Sequence, residues 1–314
     1  MNSSSFSPSF SSSSSFILRL LSLSFVLLVL FLLLVGCGSG GGDTLASYNF
    51  KQGSNGLNMK LVDNAPPSKI YPQSSFKMIL ELDNQAAYDV SDGMVKIVGL
   101  DNNYFKVAPL EQSFDTLAGR SLTSPSGDKV YLEFDGLSAG LFENAQEYSG
   151  VYFIKTSFHS TLDFVETVCI NPNLYAVYDA GCKVKEKETY SGQGASLAVS
   201  QMEEIMYPGA GAGAEFRITL RNKRNMDSQV GFVNLMSATL GGEDIPCEFQ
   251  GEVSNKRSKQ FKDQQEVILV CKKPLRQQSS YQTSLALHFT YDYSQKLESR
   301  LLLVNPERRA GVFG

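Results

Sequence analysis

Beyond residue 56 the hydrophobic positions come in short alternating runs, separated by Gly, Pro, Asn and Asp. This is the period-2 pattern of half-buried strands. Leu285, Leu287, Phe289, Tyr291 and Tyr293 fall on one face of an extended segment, with Ala286, His288, Thr290 and Asp292 on the other. Val130, Leu132 and Phe134 alternate likewise, and Val95, Ile97 and Val98 mark another strand. Val230, Phe232 and Leu235 open a further one, and Val267 to Val270 reads as a continuous buried run. No long stretch carries a helical period, so the pattern predicts an all-β protein. Of the two histidines, His288 falls on a polar strand face, and His159 reads as lying near a hairpin turn between Phe158 and Leu162.

The pattern also repeats. YPQSSFKMILELDN begins at residue 71 and YPGAGAGAEFRITLRN at residue 207, so that Met78, Leu80, Leu82 and Asn84 match Phe216, Ile218, Leu220 and Asn222. CINP at 169–172 and LVNP at 303–306 close the two units. The separations, 138 residues at Met78/Phe216 and 134 at the closing landmarks, imply a duplication. Each unit has the size of an immunoglobulin-like sandwich and leaves no room for crossover helices. Periodicity alone also fits a barrel. The expected organisation is a hydrophobic signal or anchor at 1–36, a Gly/Ser leash at 37–56, sandwiches at 57–172 and 196–306, a linker at 173–195 and a tail at 307–314.

The N-terminus changes the picture from a soluble protein to a tethered one. Residues 1–15 are serine-rich, and from Phe16 to Val35 the chain is apolar except for Arg19, Ser22 and Ser24. The clean run of 16 residues after Arg19 is short for a membrane span and suits a signal segment. Arg19 keeps that end cytoplasmic, so the rest is exported. Leu34, Val35, Gly36 and Cys37 resemble the lipidation signal of secreted lipoproteins, which implies Cys37 as a lipid-bearing first residue of the mature chain. An uncleaved signal anchor is the other reading. Both put the protein on the outer face of a membrane.

Composition refines this. The formal charge is −4, which argues against a nucleic-acid partner. Residues 57–172 hold 8 basic and 15 acidic side chains, while 196–306 hold 13 and 12. The mixed charge run KVKEKE at 183–188 reads as solvated linker. With Cys37 set aside, four of the five cysteines remain, and locality pairs Cys169 with Cys182 and Cys247 with Cys271. The second pairing sets Phe249 against Leu269 across a hairpin whose loop spans 254–264. A four-thiol metal site lacks CxxC spacing.

The segment FVETVCINPNLYAVYDAGCKVKEKETYSGQGASLAVSQMEEIMYP resembles a group of uncharacterised archaeal surface proteins. In that group a strand ending in Val-Cys-Ile-Asx leads to a second cysteine, then to Gly-Gln-Gly-Ala and a sandwich domain. Cys169, Cys182 and Gly192 to Ala195 match; Ser196 departs, where proline is the pattern. The repeats are similar to cell-adhesion-related (CARDB) and S-layer-associated immunoglobulin-like domains. The resemblance implies fold and surface location and carries no active site.

Chemistry is thin. There is no HExxH, G-x-S-x-G or P-loop motif, and the Gly-rich stretches lack the Lys and strand-to-helix context of phosphate binding. Asp83, Asp89, Asp92 and Asp101 are candidate Ca²⁺ ligands without EF-hand spacing. Arg221, Lys223, Arg224, Lys256, Arg257 and Lys259 are candidate binding-loop residues for an anionic glycan or headgroup, or simply solvated turns. No cofactor or metal is implied. The expected function is therefore non-enzymatic binding of a protein or glycan at the cell surface. Binding is expected to reside in 196–306 and to weaken on charge reversal at Arg221, Lys223 and Arg224. A structural or accessory subunit of an envelope complex is the alternative, and an unrecognised hydrolase the third reading.

Overall fold

The first half folds into seven strands: β1 (Leu57–Leu61), β2 (Ser75–Asn84), β3 (Val90–Val98), β4 (Phe105–Ala108), β5 (Glu111–Phe114), β6 (Lys129–Ser138) and β7 (Glu147–Ile170). The second half supplies β8 (Lys187–Thr189), β9 (Leu197–Tyr207), β10 (Gly213–Asn222), β11 (Ser228–Leu240) and β12 (Glu243–Asp244). It ends with β13 (Cys247–Phe249), β14 (Ser258–Gln260), β15 (Glu266–Pro274) and β16 (Tyr281–Val304). This computed structural model describes residues 49–142, 145–172, 181–209, 211–222, 227–252, 255–261, 264–275 and 279–306. Cys37, Lys223 and Arg224 lie outside the described residues.

The strands form three antiparallel sheets, in the orders β1-β2-β6-β4, β13-β15-β10-β9-β8 and β12-β11-β16-β7-β3-β5, with β14 also on β11. The duplication is visible in the pairing. β2 lies between β1 and β6 as β10 lies between β9 and β15, and β3 joins β5 to β7 as β11 joins β14 to β16. The repeated alternation packs these strands: Met78, Leu80 and Leu82 of β2, and Phe216, Ile218 and Leu220 of β10, are fully buried. The architecture is all-β, two immunoglobulin-like sandwiches that share one sheet.

That shared sheet is built on a spine. β7 and β16, 24 residues each, pair along their whole length, from Glu147 opposite Val304 to Ile170 opposite Tyr281. At the usual rise this is a ribbon roughly 80 Å long. β3 pairs with β7 between Phe153 and Ser160, and β11 pairs with β16 between Leu285 and Gln295. The two sandwiches thus sit toward opposite ends of the ribbon and meet at its middle, the waist.

Each half also lends the end of its last strand to the other. Leu301 and Leu303 of β16 are fully buried, and the Ile70 N–H of the first half donates to Leu302 O at 2.8 Å. Gln295 Nε2 donates to Leu57 O at 2.9 Å. In return Phe164 of β7 packs edge-on against Tyr190, and Cys169 at the end of β7 is disulfide-bonded to Cys182. From Asn49 onward the described residues form one compact unit. Within the expected linker, residues Lys187–Thr189 form β8 on β9, and Gly192–Gly194 dock on the N-terminal stem: Gly194 N–H donates to Gly53 O at 2.8 Å and Ala87 N–H to Gly194 O at 2.7 Å.

Four local expectations change. His159 lies mid-strand in β7, because Phe158–Leu162 contains no Gly, Pro or Asn and the buried alternation runs through it. Val267 to Val270 alternates: Val267 and Leu269 are buried while Ile268 is exposed. Phe232 is turned outward by a register shift between Val230 and Val233. Between β13 and β15 the chain pairs with the shared sheet as β14, so among the described residues 255–261 are part of a sheet-to-sheet crossing, although Phe249 does face Leu269.

Candidate functional site

Both histidines of the chain stand on the outer face of the spine, in two copies of one pattern. β7 carries His159-Ser-Thr161-Leu-Asp163 and β16 carries His288-Phe-Thr290-Tyr-Asp292. Strand alternation turns these residues outward while Phe158, Leu162, Phe289, Tyr291 and Tyr293 fill the core. Antiparallel pairing then sets His159 opposite Asp292, Thr161 opposite Thr290 and Asp163 opposite His288. His159 Nδ1 lies 2.5 Å from Asp292 Oδ1, and His288 Nδ1 lies 2.7 Å from Asp163 Oδ1. Each carboxylate orients its imidazole through Nδ1 and leaves Nε2 free of that bond. As solvent-exposed pairs these stabilise by about 1 kcal/mol or less each. Their larger effect is on register, since a slip by two residues would face each His with Thr.

Beside this ladder a groove of about 560 Å³ opens at the waist. Its floor is the spine; its wall is the turn between β2 and β3, with Tyr88 and Asp89; the stem residue Lys51 borders it. Tyr88 Oη donates to Asp163 O at 3.1 Å and accepts from Asp163 N–H at 3.2 Å, and burial pushes the phenol up to about 12. Lys51 Nζ is 3.6 Å from Asp163 Oδ2 and 5.3 Å from the Tyr88 ring centre. Asp89 Oδ1 accepts from Gly119 N–H at 2.8 Å. A Cβ on Gly119 would come within 2.6 Å of the Tyr88 backbone, so only glycine fits there. Behind the wall, buried Asn84 donates to Tyr88 O and Leu117 O and accepts from Ala86 N–H.

The residues singled out from the sequence go elsewhere. Arg221 Nε is 3.0 Å from Glu266 Oε1, Lys256 Nζ is 2.8 Å from both Glu248 oxygens, and Lys259 Nζ is 2.9 Å from Glu252 Oε1. Arg257 donates to Leu235 O and Met236 O. Arg221 adjoins Asn222, which accepts from Tyr293 Oη at the middle of the spine, so this cluster lies at the waist rather than at a free end. The four aspartates do not converge. Asp83 pairs with Lys129, Asp89 with Gly119 N–H, and Asp101 with Tyr148 Oη; Asp92 accepts from Ser91 Oγ. Among the described residues no group of three or more His, Cys, Asp or Glu is arranged to hold a metal ion. Cys169–Cys182 and Cys247–Cys271 are both bonded. Two disulfides belong to an oxidising compartment.

Glu204 of β9 is a buried carboxylate on the inward face that it shares with Met202 and Met206. It is 3% exposed and its Oε1 has no hydrogen-bond partner. Burial raises its pKa to about 7, with Glu188 adding to the rise, while the backbone N–H groups of Lys185 and Cys169 and the Lys185 charge oppose it. Because the folded value exceeds the unfolded one, the stability from its neutral form is complete below about pH 4.5 and is lost as pH rises through about 7. The span corresponds to on the order of 3 kcal/mol at most. The expected result is that thermal stability of the wild type falls from pH 5 to pH 8 and that Glu204→Gln flattens this slope. Parallel melting curves for the two proteins across that range would refute the assignment.

No family model matches the chain, and no curated protein sequence matches it. Solved structures with a distant likeness include the E. coli chaperone DraB, 11% identical, covering 71% of this chain and 87% of that one, with a TM-score of 0.20. The CupB6 tip adhesin of Pseudomonas aeruginosa is 8% identical over 81% of this chain and 99% of that one, TM-score 0.18. The collagen adhesin of S. aureus is 11% identical over 80% of this chain and 93% of that one, TM-score 0.16. At such scores these likenesses carry no functional assignment.

Proposed function

We propose that the chain is a non-enzymatic, membrane-anchored cell-surface protein that acts by binding a protein or glycan partner. The observation that supports it most is the β7–β16 spine, which ties two sandwiches into a single bar and places a polar groove where they meet. The two disulfides agree with export. Anchoring rests on the signal at Leu34 to Cys37, with lipid on Cys37 or an uncleaved signal segment. Arg221, Lys256, Arg257 and Lys259 spend donors on internal acceptors, which favours the groove beside Tyr88 over that cluster as the recognition surface.

Cys37→Ser is expected to release the protein from membranes or to leave a longer, unprocessed chain. A variant of unchanged mass that stays in the membrane fraction would favour the uncleaved anchor. Crosslinking on intact cells tests binding itself: capture of a surface component supports the reading, and recovery of uncrosslinked chain alone counts against it. The spine's length favours a second reading, a spacer within an envelope complex. In that case crosslinking returns one stoichiometric protein partner along both sandwiches.

A further inference from the structure

The geometry points to the waist groove as a binding site for a neutral carbohydrate segment, a ligand class that rests on the surface-binding reading above. Charge comes first. Lys51 and His288 both answer Asp163, Asp292 answers His159, and a backbone N–H answers Asp89. Each charged group in or beside the groove therefore already has an internal partner. An anion entering it finds no free ammonium to match, since Lys51 is already held by Asp163, whereas a neutral ligand disturbs none of these pairs.

The polar groups left over then define the ligand. Thr161 and Thr290 face each other across the spine, half-buried, and Thr116 lies exposed at the groove. Among the described residues their hydroxyls have no protein hydrogen-bond partner. A hydroxyl donates one hydrogen bond and accepts two. A cluster of them, flanked by carboxylate and ammonium edges, suits a ligand whose own groups both donate and accept, which is the character of a polyol ring. The lining has no Leu, Ile, Val, Met or Phe; Tyr88 is buried and Ala87 is small, so a lipid tail or aromatic ligand has no large apolar side chain to pack on. The volume, about 560 Å³, and the open floor suit a short stretch of a chain running across the spine.

Both His-x-Thr-x-Asp copies contribute, so neither half alone carries the site.

The test uses the full-length chain in detergent, passed over immobilised amylose, cellulose, mannan and chitin, and separately over alginate and heparin. Retention on at least one neutral polymer is expected, and Thr161→Val/Thr290→Val, isosteric and β-branched, should weaken it at least tenfold while melting as wild type. If that variant melts early, Thr116→Val alone, on an exposed loop, should still weaken retention. Absence of retention on all four neutral polymers, retention only on alginate or heparin, or undiminished retention in the threonine variants would overturn the assignment. Failure of this test together with a partner captured on intact cells removes the ligand class and leaves the surface-binding reading; failure of both removes both.

Discussion

Residues 196–306 expressed alone are expected not to fold, whereas residues 49–314 are expected to melt cooperatively. Removing the first half strips β16 of its partner along all 24 residues and leaves a long unpaired ladder edge. It also exposes Leu301 and Leu303, which are fully buried near Ile70 of the first half, and removes Phe158 from beside Tyr293 at the waist. On its other side the fragment loses β8, whose residues Lys187 to Thr189 pair with Gln201 to Glu203 of β9. Burial of each large side chain contributes about 1.5–3 kcal/mol, so the combined loss is on the order of 10 kcal/mol before any backbone pairing is counted. That is comparable with the whole stability of a typical domain. The long edge, rich in Leu, Phe and Tyr, should drive aggregation. The measurement is a thermal melt with amide-proton dispersion for both fragments. A 196–306 fragment that melts as sharply as 49–314 would show that the halves are independent, and would restore the expectation that 196–306 binds without its neighbour.

Strand identity is legible in the sequence because each alternating run, such as Leu285 to Tyr293, carries its burial in its own residues. The repeat is legible because Tyr-Pro and the Leu-x-Asn strand end recur, and the cysteine pairs follow from spacing. What a period of two does not encode is which strand lies next to which. β7 and β16 read as ordinary closing strands of separate sandwiches, and only their 24-residue length hints that each outruns its own sandwich. A turn near His159 is the natural reading for the same reason, since a strand that long is unusual. The doubled His-x-Thr-x-Asp is present in the sequence, and pairing one copy against the other antiparallel places each His by an Asp. Glu204 shares the period-2 face of Met202 and Met206, so its inward direction is legible, whereas the Lys185 and Cys169 groups beside it arrive from two other segments that the alternation does not place.

The repeated asparagine allows the sharpest test of how the waist is held. Asn84 and Asn222 end equivalent strands, but their surroundings differ. Asn84 is fully buried; its amide donates to Tyr88 O at 3.0 Å and Leu117 O at 2.9 Å, and its oxygen accepts from Ala86 N–H at 3.1 Å. Asn222 is half-buried, donating to Ser228 O at 3.0 Å and accepting from Tyr293 Oη at 3.3 Å. Leucine has the same branched outline as asparagine, somewhat larger, and none of its polar atoms. Asn84→Leu therefore leaves two backbone groups, Tyr88 O and Ala86 N–H, unanswered in the interior, while Leu117 O keeps Val90 N–H; at about 1–3 kcal/mol for each unsatisfied group this is on the order of 4 kcal/mol in all. For a chain of this size that should lower the melting temperature by roughly 10 °C. Asn222→Leu, with water able to replace part of what is lost, should cost about a third as much. The turn that Asn84 holds carries Tyr88 and Asp89, so the same substitution should loosen the groove wall and weaken ligand retention even below the melting transition. Equal melting shifts for the two variants, or a shift under about 2 °C for Asn84→Leu, would mean that the buried amide is not what fixes the wall.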